Sequence, residues 1–305
     1  MFGERPEPEP RPGWSLVTLK AAGLNRHDLW SLMGVGLPAE RLPMVLGCDG
    51  AGVDEDGNEV VVHAVVASEA WQGDETLDPG RTLLSEKFDG TLAQRVLIPQ
   101  RNLLPKPKEL DWAVAGCLST ASLTAYRMLF VNAGVDPGAT VLVQGVSGGV
   151  ATALLQLGAA AGYRMWATTR DAGKRERALQ IGAERVFETG ARLPSRVDAV
   201  METVGAATWS HSVNALQAGG TIVISGATSG DAPAKAELTK IFFRQLRVVG
   251  STMGTRAEFE RLLAFMVSTG VRPVVDRVLP LDRALEGLQA LSDGEAFGKV
   301  VLVTD

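Results

Sequence analysis

The stretch Thr140-Val141-Leu142-Val143-Gln144-Gly145-Val146-Ser147-Gly148-Gly149-Val150-Ala151 joins an apolar run, a glycine-rich turn and the beginning of a helical pattern. This order predicts a strand, a tight turn and a helix. Gly145, Gly148 and Ala151 form a variant of the dinucleotide fingerprint G-x-G-x-x-G/A, in which Ser147 takes the intervening small position. The stretch therefore predicts the first strand and the first helix of a nucleotide-binding sheet.

This turn has the properties that a pyrophosphate group needs. Its small residues leave backbone N–H groups accessible, and the helix that follows carries a partial positive charge at its N-terminus. The predicted phosphate-binding residues are Gly145, Ser147, Gly148, Gly149 and Val150. Similar turns occur in α/β proteins that bind nothing there, so the flanking sequence has to decide between the two interpretations.

The composition indicates a two-domain protein without a nucleic-acid or membrane partner. The chain has 305 residues, 46% of them hydrophobic, which is enough for two apolar cores. A net charge of −5 without a basic run argues against nucleic acid. No apolar run reaches roughly 18 residues, and the proline-rich N-terminus lacks a signal-peptide core, so we expect a cytoplasmic protein. The only two cysteines, Cys48 and Cys117, exclude a disulfide framework.

The pattern of the chain changes near Trp112. Before it, short apolar runs such as Trp14–Ala22, broken by Gly, Asp and Pro, predict mainly antiparallel strands. Trp112–Val131 predicts one helical stretch. After it, strands and helices alternate, which predicts a parallel, doubly wound sheet in an α/β fold. The last three segments predict a strand, a helix and a strand that return to the first domain: Val274–Leu279, Asp282–Leu291 and Lys299–Val303.

Two sets of elements are predicted for the parallel sheet. The strands are Thr140–Gln144, Arg164–Thr168, Arg185–Glu188, Ala199–Thr203, Thr221–Ser225 and Arg247–Ser251. The helices are Gly149–Ala161, Lys174–Ile181, Trp209–Ala218, Leu238–Arg244 and Ala257–Thr269.

The end of the second predicted strand indicates which dinucleotide binds. A carboxylate there accepts from a ribose 2′-hydroxyl, whereas a cation accommodates a 2′-phosphate. Thr169 and Arg170 stand at this place, and Lys174 adds a second positive charge about one helical turn later. The sequence therefore favours NADPH. Two alternatives remain: Asp171 reaches the ribose instead of capping the helix, or Lys174 belongs to a solvated helix face.

Several segments together resemble the medium-chain dehydrogenase/reductase superfamily, and specifically its zinc-less quinone oxidoreductase-like and enoyl reductase-like members. The segments that carry the resemblance are Ala21–Trp30, Leu46–Gly52, Ser122–Tyr126, Gly145–Ala151, Asp198–Gly205 and Gly298–Leu302. The resemblance implies a mainly β, GroES-like catalytic domain of residues 1–115 and 273–305 and a Rossmann cofactor domain of residues 116–272. It also implies a homodimer formed through Arg247–Ser251. Relatives usually begin with an additional strand of roughly 20 residues, so we expect a shortened N-terminus.

The resemblance also extends the set of predicted cofactor residues. Arg26 matches a position that meets the pyrophosphate in relatives, and Thr124 matches one near the nicotinamide. The loops after the later strands would line the ribose and the nicotinamide with Thr203, Val204, Gly205, Gly226 and Ala227. Lys299 is interpreted as a surface lysine, with an approach to the cofactor as the alternative.

The residues at the matching positions argue against a catalytic metal. The zinc-dependent relatives have their ligands at positions that correspond to Asn25, Cys48 with Asp49, and about Thr120. Of these, only Cys48 is a good zinc ligand, because zinc sites use thiolate, imidazole and carboxylate groups. We therefore predict no metal site. A site built from His27, Cys48 and Asp49 is the alternative.

The chemistry without a metal needs a donor for the negative charge that develops on a conjugated carbonyl oxygen. Asn25 has two amide N–H donors, and His27 can both donate to an enolate and release a proton. The alternative for His27 is a purely structural role in its loop. Trp30 replaces a tyrosine of the quinone oxidoreductases and would shape a flat pocket.

These features predict an NADPH-dependent, metal-independent reductase of an activated C=C bond or a quinone. Its substrate would be a small molecule or a thioester. The alternatives are a zinc-less carbonyl or alcohol oxidoreductase and a non-catalytic NADPH-binding regulatory protein, because a fold does not dictate its function.

Overall fold

The computed structural model describes residues 3–304. The strands, in chain order, are β1 Trp14–Gly23, β2 Ala51–Val53, β3 Glu59–Val62, β4 Val65–Val66, β5 Thr82–Leu83, β6 Arg95–Pro99, β7 Leu103–Pro105, β8 Thr140–Val143, β9 Arg164–Thr169, β10 Arg185–Glu188, β11 Val197–Glu202, β12 Leu216–Ile224, β13 Arg247–Gly250, β14 Val275–Pro280 and β15 Lys299–Val303. The α-helices are α1 Arg26–Leu32, α2 Trp112–Ala115, α3 Ala121–Tyr126, α4 Gly149–Ala160, α5 Ala172–Gln180, α6 Trp209–Ala215, α7 Leu238–Phe243, α8 Arg256–Thr269 and α9 Ala284–Ser292. No helix within residues 3–304 combines the length and the apolar character that a membrane span needs.

The chain divides into two compact units. The first contains the residues up to Leu123 and those from Met253 onward, and the second contains Thr124–Thr252. The sequence placed these borders at 115/116 and 272/273, so helix α8 lies in the other unit than expected. The reason is local packing: the His63 ring donates from Nε2 to Gly254 O at 2.9 Å, directly before α8.

The first unit is built on a mixed sheet to which both ends of the chain contribute. Six of its seven strands take the order β14-β15-β1-β2-β3-β7, and the seventh, β6, pairs with β1. β1 is antiparallel to β15, so the last strand of the chain lies beside the first. Along β1, Val17, Leu19 and Ala21 are buried while Thr18 is exposed, which agrees with the predicted half-buried strand.

The second unit is a parallel sheet of six strands in the order β10-β9-β8-β11-β12-β13. When the six strands of this unit are numbered from one in chain order, the order is 3-2-1-4-5-6, which is the arrangement of doubly wound dinucleotide-binding sheets. The direction of winding reverses between β8 and β11. Leu142, Val200 and Ile222 pack in its core. The predicted α/β fold class, with a GroES-like β domain and a Rossmann domain, is thus confirmed.

One predicted helix is wrong. Trp112–Val131 was expected to be continuous, but α2 ends at Ala115 and α3 starts at Ala121, followed by a π-helical turn over Arg127–Asn132. The break follows from the packing at Gly116, where a Cβ atom would lie 2.7 Å from the Cβ atom of Ala21 in β1. The chain has to leave the helix in order to pass this strand.

Candidate functional site

The predicted cofactor residues of the second unit lie at the carboxyl ends of its parallel strands. Gly145 follows β8, Arg170 follows β9, Thr203 follows β11 and Gly226 follows β12. Because these strands are parallel, all four ends meet at one edge of the sheet, and ligands bind open α/β sheets at this edge. The structure therefore brings the predicted turn and loops together.

The Gly145 turn has the geometry of a phosphate cradle. Gly145 has a φ of +83°, a conformation that L side chains rarely adopt. Gly148 is the N-cap of α4, and a Cβ atom built there would meet nothing within 4 Å. The first amides of the helix, beginning at Gly149 and Val150, have no intrahelical acceptor. Open space in front of free donors at a helix N-terminus fits a pyrophosphate.

The corner after β9 distinguishes between the two interpretations of Asp171. Its carboxylate accepts from Lys174 N at 3.1 Å, so it caps α5. Thr169 Oγ1 accepts from Asp171 N, also at 3.1 Å, and this holds the corner closed. The Arg170 side chain is exposed, and no residue in the described part of the chain pairs with it. An exposed guanidinium group thus lies at the end of the second parallel strand, where dinucleotide-binding sheets contact the ribose.

The loops after β11 and β12 support each other. Ser229 N donates to Val204 O at 2.7 Å. Gly205 lies so close to Ala227 that a Cβ atom built on Gly205 would be 2.8 Å from the Cα atom of Ala227. Thr203, Val204, Gly205, Gly226 and Ala227 are all partly exposed along this edge. Thr124 is buried at the start of the second unit, whereas Arg26 is exposed on α1 of the first unit.

In the first unit, a buried lysine lies at the centre of a polar cluster. Lys299 is only 3% exposed, and its Nζ donates to Leu24 O at 2.8 Å, to Asn25 Oδ1 at 2.6 Å and to Asp49 Oδ2 at 2.9 Å. Asp49 Oδ1 accepts from Thr120 N at 2.7 Å. The interpretation of Lys299 as a surface lysine is therefore wrong, because its three ammonium hydrogens are all used inside the unit.

This cluster changes the role that Asn25 can have. An ammonium group only donates, so the bond from Lys299 identifies the amide oxygen of Asn25 and fixes the orientation of the amide. The Asn25 Nδ2 group then donates to Gly23 O at 3.2 Å and to Asp49 Oδ2 at 2.9 Å. Both of its hydrogens are thus used, and the predicted donation from Asn25 to a substrate carbonyl is not available in this arrangement.

Asp28 supports the same segment through its carboxylate. It accepts from Asn25 N at 2.7 Å and from Gly47 N at 3.1 Å. Burial raises the pKa of Asp28 to about 7, although these backbone donors and Lys299 lower it. The carboxyl group thus braces the start of α1 and titrates near neutral pH.

One ring nitrogen of His27 has no hydrogen-bond partner among residues 3–304. The side chain is 15% exposed, and this nitrogen, Nε2, is buried 3.9 Å from Glu86 Oε1. Burial lowers the pKa of His27, and the Glu86 carboxylate opposes this shift. At neutral pH the imidazole is therefore mainly neutral, so the expected imidazolium is the minor form. Trp30 lies one helical turn further on, half-buried, and its indole bonds to no described residue.

The residues at the positions matched to zinc ligands do not fit zinc. Cys48 Sγ donates to Leu84 O at 3.2 Å, and burial raises the pKa of its thiol well above the usual value, so the thiolate that zinc requires is disfavoured. Asp49 already binds Lys299. Within residues 3–304, no group of three or more His, Cys, Asp or Glu side chains could hold a metal.

Sequence reasoning misassigned one residue near these sites and missed two others. Lys299 stands in an apolar strand, Glu202 ends another, and Glu86 lies in a loop beside His27. A charged residue within a predicted buried strand was the available signal for the first two. Glu86 had no such signal, because its proximity to His27 arises from tertiary packing.

Comparisons with known protein families cover most of the chain. Residues 11–108 match the family described as alcohol dehydrogenase GroES-like domain, and residues 149–268 match the family described as zinc-binding dehydrogenase. A zinc-type alcohol dehydrogenase-like protein of Schizosaccharomyces pombe is 30% identical over 318 residues, which cover 96% of this chain and 92% of that protein. An acryloyl-coenzyme A reductase of Metallosphaera sedula is 28% identical, with 98% and 94% covered.

Two solved structures extend these similarities. An NAD-dependent alcohol dehydrogenase superimposes with a TM-score of 0.93 and 35% identity, covering 99% of this chain and 95% of that one. A 2-octenoyl-CoA carboxylase reductase in complex with NADP and 2-octenoyl-CoA has a TM-score of 0.91 and 25% identity, with 99% and 81% covered.

Proposed function

Because this chain belongs to the medium-chain dehydrogenase/reductase superfamily, we propose that it is a metal-independent reductase of activated C=C bonds that uses NADPH. Membership makes it an oxidoreductase with a nicotinamide cofactor. The proposed substrates are enones, quinones or enoyl thioesters. The single observation that carries the metal-independent part is Lys299, whose ammonium occupies the cluster of Asn25 and Asp49.

The preference for NADPH rests on the corner after β9. Arg170 is unpaired and exposed, and Asp171 is engaged as a helix cap, so the corner offers a 2′-phosphate a cation and offers a ribose hydroxyl no free carboxylate. The NADP complex of the 2-octenoyl-CoA carboxylase reductase agrees with this choice. The NAD-dependent alcohol dehydrogenase is the counter-example among the relatives.

His27 is the proposed donor to the substrate oxygen. When bound, the cofactor would supply a hydride to the activated C=C bond, and the resulting enolate oxygen would need a hydrogen-bond donor. A neutral imidazole can donate its N–H to this oxygen, as burial of His27 favours, and solvent then protonates the α carbon. In the proposed site, Asn25 holds Lys299 and Asp49 in place and Trp30 forms part of the pocket wall.

The alcohol dehydrogenases among the relatives leave a second candidate, a carbonyl or alcohol oxidoreductase. Stopped-flow mixing of the NADPH-bound protein with a quinone, an enone, an enoyl thioester and a saturated aldehyde separates the two. We expect the nicotinamide absorbance to fall fastest with one of the first three. Faster turnover of the aldehyde would establish the second candidate, and no turnover with any substrate would leave a binding protein.

The same assay tests His27. Removing one donor to a developing oxyanion costs about 10²- to 10³-fold in kcat, so His27→Leu should lose turnover by about this factor while NADPH binding is kept. His27→Gln retains an N–H donor and should restore part of the rate. Unchanged turnover in His27→Leu would assign the stabilisation to another group.

A further inference from the structure

A buried carboxylate without a cation partner lies beneath the cofactor edge of the second unit. Glu202, the last residue of β11, is 1% exposed. Its Oε1 accepts from Val204 N at 2.8 Å and from Gly205 N at 2.9 Å. No described lysine, arginine or histidine forms an ion pair with it. The carboxylate thus shapes the predicted cofactor loop after β11 through hydrogen bonds alone.

The second carboxylate oxygen of Glu202 is connected through Ser212 to Gln144, which directly follows β8. Ser212 Oγ donates to Glu202 Oε2 at 2.6 Å, because a carboxylate can only accept. The Ser212 oxygen then accepts from Gln144 Nε2 at 2.9 Å. This identifies the nitrogen of the Gln144 amide and turns its oxygen toward β9.

The chain of bonds ends at the phosphate turn. Thr168 Oγ1 donates to Gln144 Oε1 at 2.8 Å and accepts from Gly145 N at 3.2 Å. Gln144, Thr168 and Ser212 are each at most 1% exposed, so water does not compete for these bonds. Each group therefore donates to the next one along a relay that starts at the Gly145 amide, passes through Thr168, Gln144 and Ser212, and ends at Glu202.

We propose that Glu202, acting through Ser212, Gln144 and Thr168, is a positioning residue that fixes the Gly145 turn and the Val204–Gly205 loop for the nicotinamide cofactor. Because it ties the ends of β8, β9 and β11 together, a change at one end is transmitted to the others. The proposal rests on the cofactor site of the proposed function, and it is independent of the substrate.

The tautomer of His211 depends on the direction in which the hydrogen bonds of this relay run. Its Nδ1 accepts from Gln144 Nε2 at 2.9 Å, so the Nε2–H tautomer donates to Ala191 O at 2.9 Å. In Glu202→Gln the new amide nitrogen would replace an acceptor that Ser212 requires. A turnover of the Gln144 amide would then place its oxygen against His211 Nδ1, and the Nδ1–H tautomer would form at the cost of the bond from Nε2 to Ala191 O. A role in packing alone predicts no such change, because glutamine has nearly the same shape as glutamate.

The test combines cofactor affinity with the histidine tautomer. NADPH dissociation constants, measured by nicotinamide fluorescence, should rise roughly tenfold in Glu202→Gln and Thr168→Val. Thr168→Ser should restore the affinity. The matched control is Thr221→Val, which changes another buried threonine of the same sheet whose hydroxyl bonds to no described residue. Imidazole nitrogen chemical shifts, from only three histidines, should show the altered tautomer in Glu202→Gln.

The outcomes separate the relay from the proposed function. Wild-type affinity in Thr168→Val, or an unchanged His211 tautomer in a folded Glu202→Gln, would overturn the relay while the cofactor assignment stands. If Glu202→Gln does not fold, the Thr168→Val and Thr168→Ser pair decides by affinity. Failure of the wild-type protein to bind NADPH or NADH would overturn the cofactor site and, with it, the relay's purpose.

Discussion

The proposed preference for NADPH rests on single side chains. Arg170 is exposed and unpaired within residues 3–304, and Asp171 is committed to the helix cap. Thr169, predicted as a cofactor contact, accepts from Asp171 N through its hydroxyl and so holds the corner in shape. Selectivity for a 2′-phosphate would depend on Arg170 and on the second predicted charge, Lys174, and Arg170 is the simpler of the two to test.

Arg170→Ala should weaken NADPH binding by roughly tenfold or more, because a hydrogen bond to a charged group is worth about 1.5–3 kcal/mol. NADH has no 2′-phosphate and should bind as before. Fluorescence titration with both cofactors measures the difference. Arg175→Ala, an exposed arginine on the same helix, is the control and should change neither affinity. Equal losses for both cofactors would refute the assignment.

At the scale of elements, the outer edge of β13 has no partner within the described chain. β13 ends the parallel sheet, and Val248 on it is 43% exposed. Phe242 and Phe243 on α7 are also exposed, 64% and 74%, and their rings stack on each other at 4.7 Å. An unprotected edge beside apolar side chains favours pairing with a second chain. This supports the homodimer that the sequence resemblance implied.

Val248→Lys should convert the proposed dimer into a monomer, because a charge on an edge strand opposes edge-to-edge pairing. Light scattering coupled to size exclusion gives the mass directly. Val278→Lys is the matched control, since Val278 is a similarly exposed valine on β14, the end strand of the other sheet. A wild-type monomer, or a dimer that survives in Val248→Lys, would disprove the edge interface.

At the scale of the whole molecule, two buried titrating groups act in opposite directions on stability. Burial lowers the pKa of His63 to about 4, with a smaller lowering by Arg256, against the raising effects of Gly254 O and Glu258. Between about pH 4 and 6.5 the unfolded chain binds more protons at this histidine. The free energy of unfolding therefore falls as the pH decreases through this window.

Asp28 changes the free energy of unfolding with pH in the opposite direction to His63. Its folded pKa of about 7 lies above the unfolded value, so the folded protein binds more protons between about pH 4 and 7. Its contribution to the free energy of unfolding therefore decreases as the pH rises through this window. The opposite effects of His63 and Asp28 on the free energy of unfolding therefore offset each other between about pH 4 and 6.5.

Substituting either Asp28 or His63 should reveal the pH dependence that the other residue gives to the free energy of unfolding. In Asp28→Asn the free energy of unfolding should rise from pH 4 to 6.5 by about 3 kcal/mol more than in the wild type. In His63→Gln it should fall with rising pH instead. Urea denaturation across this range measures both, with the exposed Glu55→Gln as control. Slopes in Asp28→Asn that match the wild type would contradict the assignment to Asp28.

The sequence predicted the second unit more fully than the first, and there is a physical reason. Regular alternation of strands and helices determines a parallel sheet, and its carboxyl edge then brings Gly145 and Arg170 together. The cluster of Asn25, Asp49 and Lys299 depends instead on residues 250 and more positions apart. No local pattern encodes such a contact, and so Lys299 was misassigned and the donors of Asn25 were taken to be free.

The antiparallel pairing of β1 with β15 also bears on how the protein is made. The ribosome releases residues Thr124–Thr252 as one continuous piece, so this unit can fold while synthesis continues. The first unit has to wait, because its sheet and its buried charges are incomplete until Lys299 has emerged. We therefore expect the first unit to reach its native state after Thr124–Thr252, because β1 lacks its partner β15 until the end of translation.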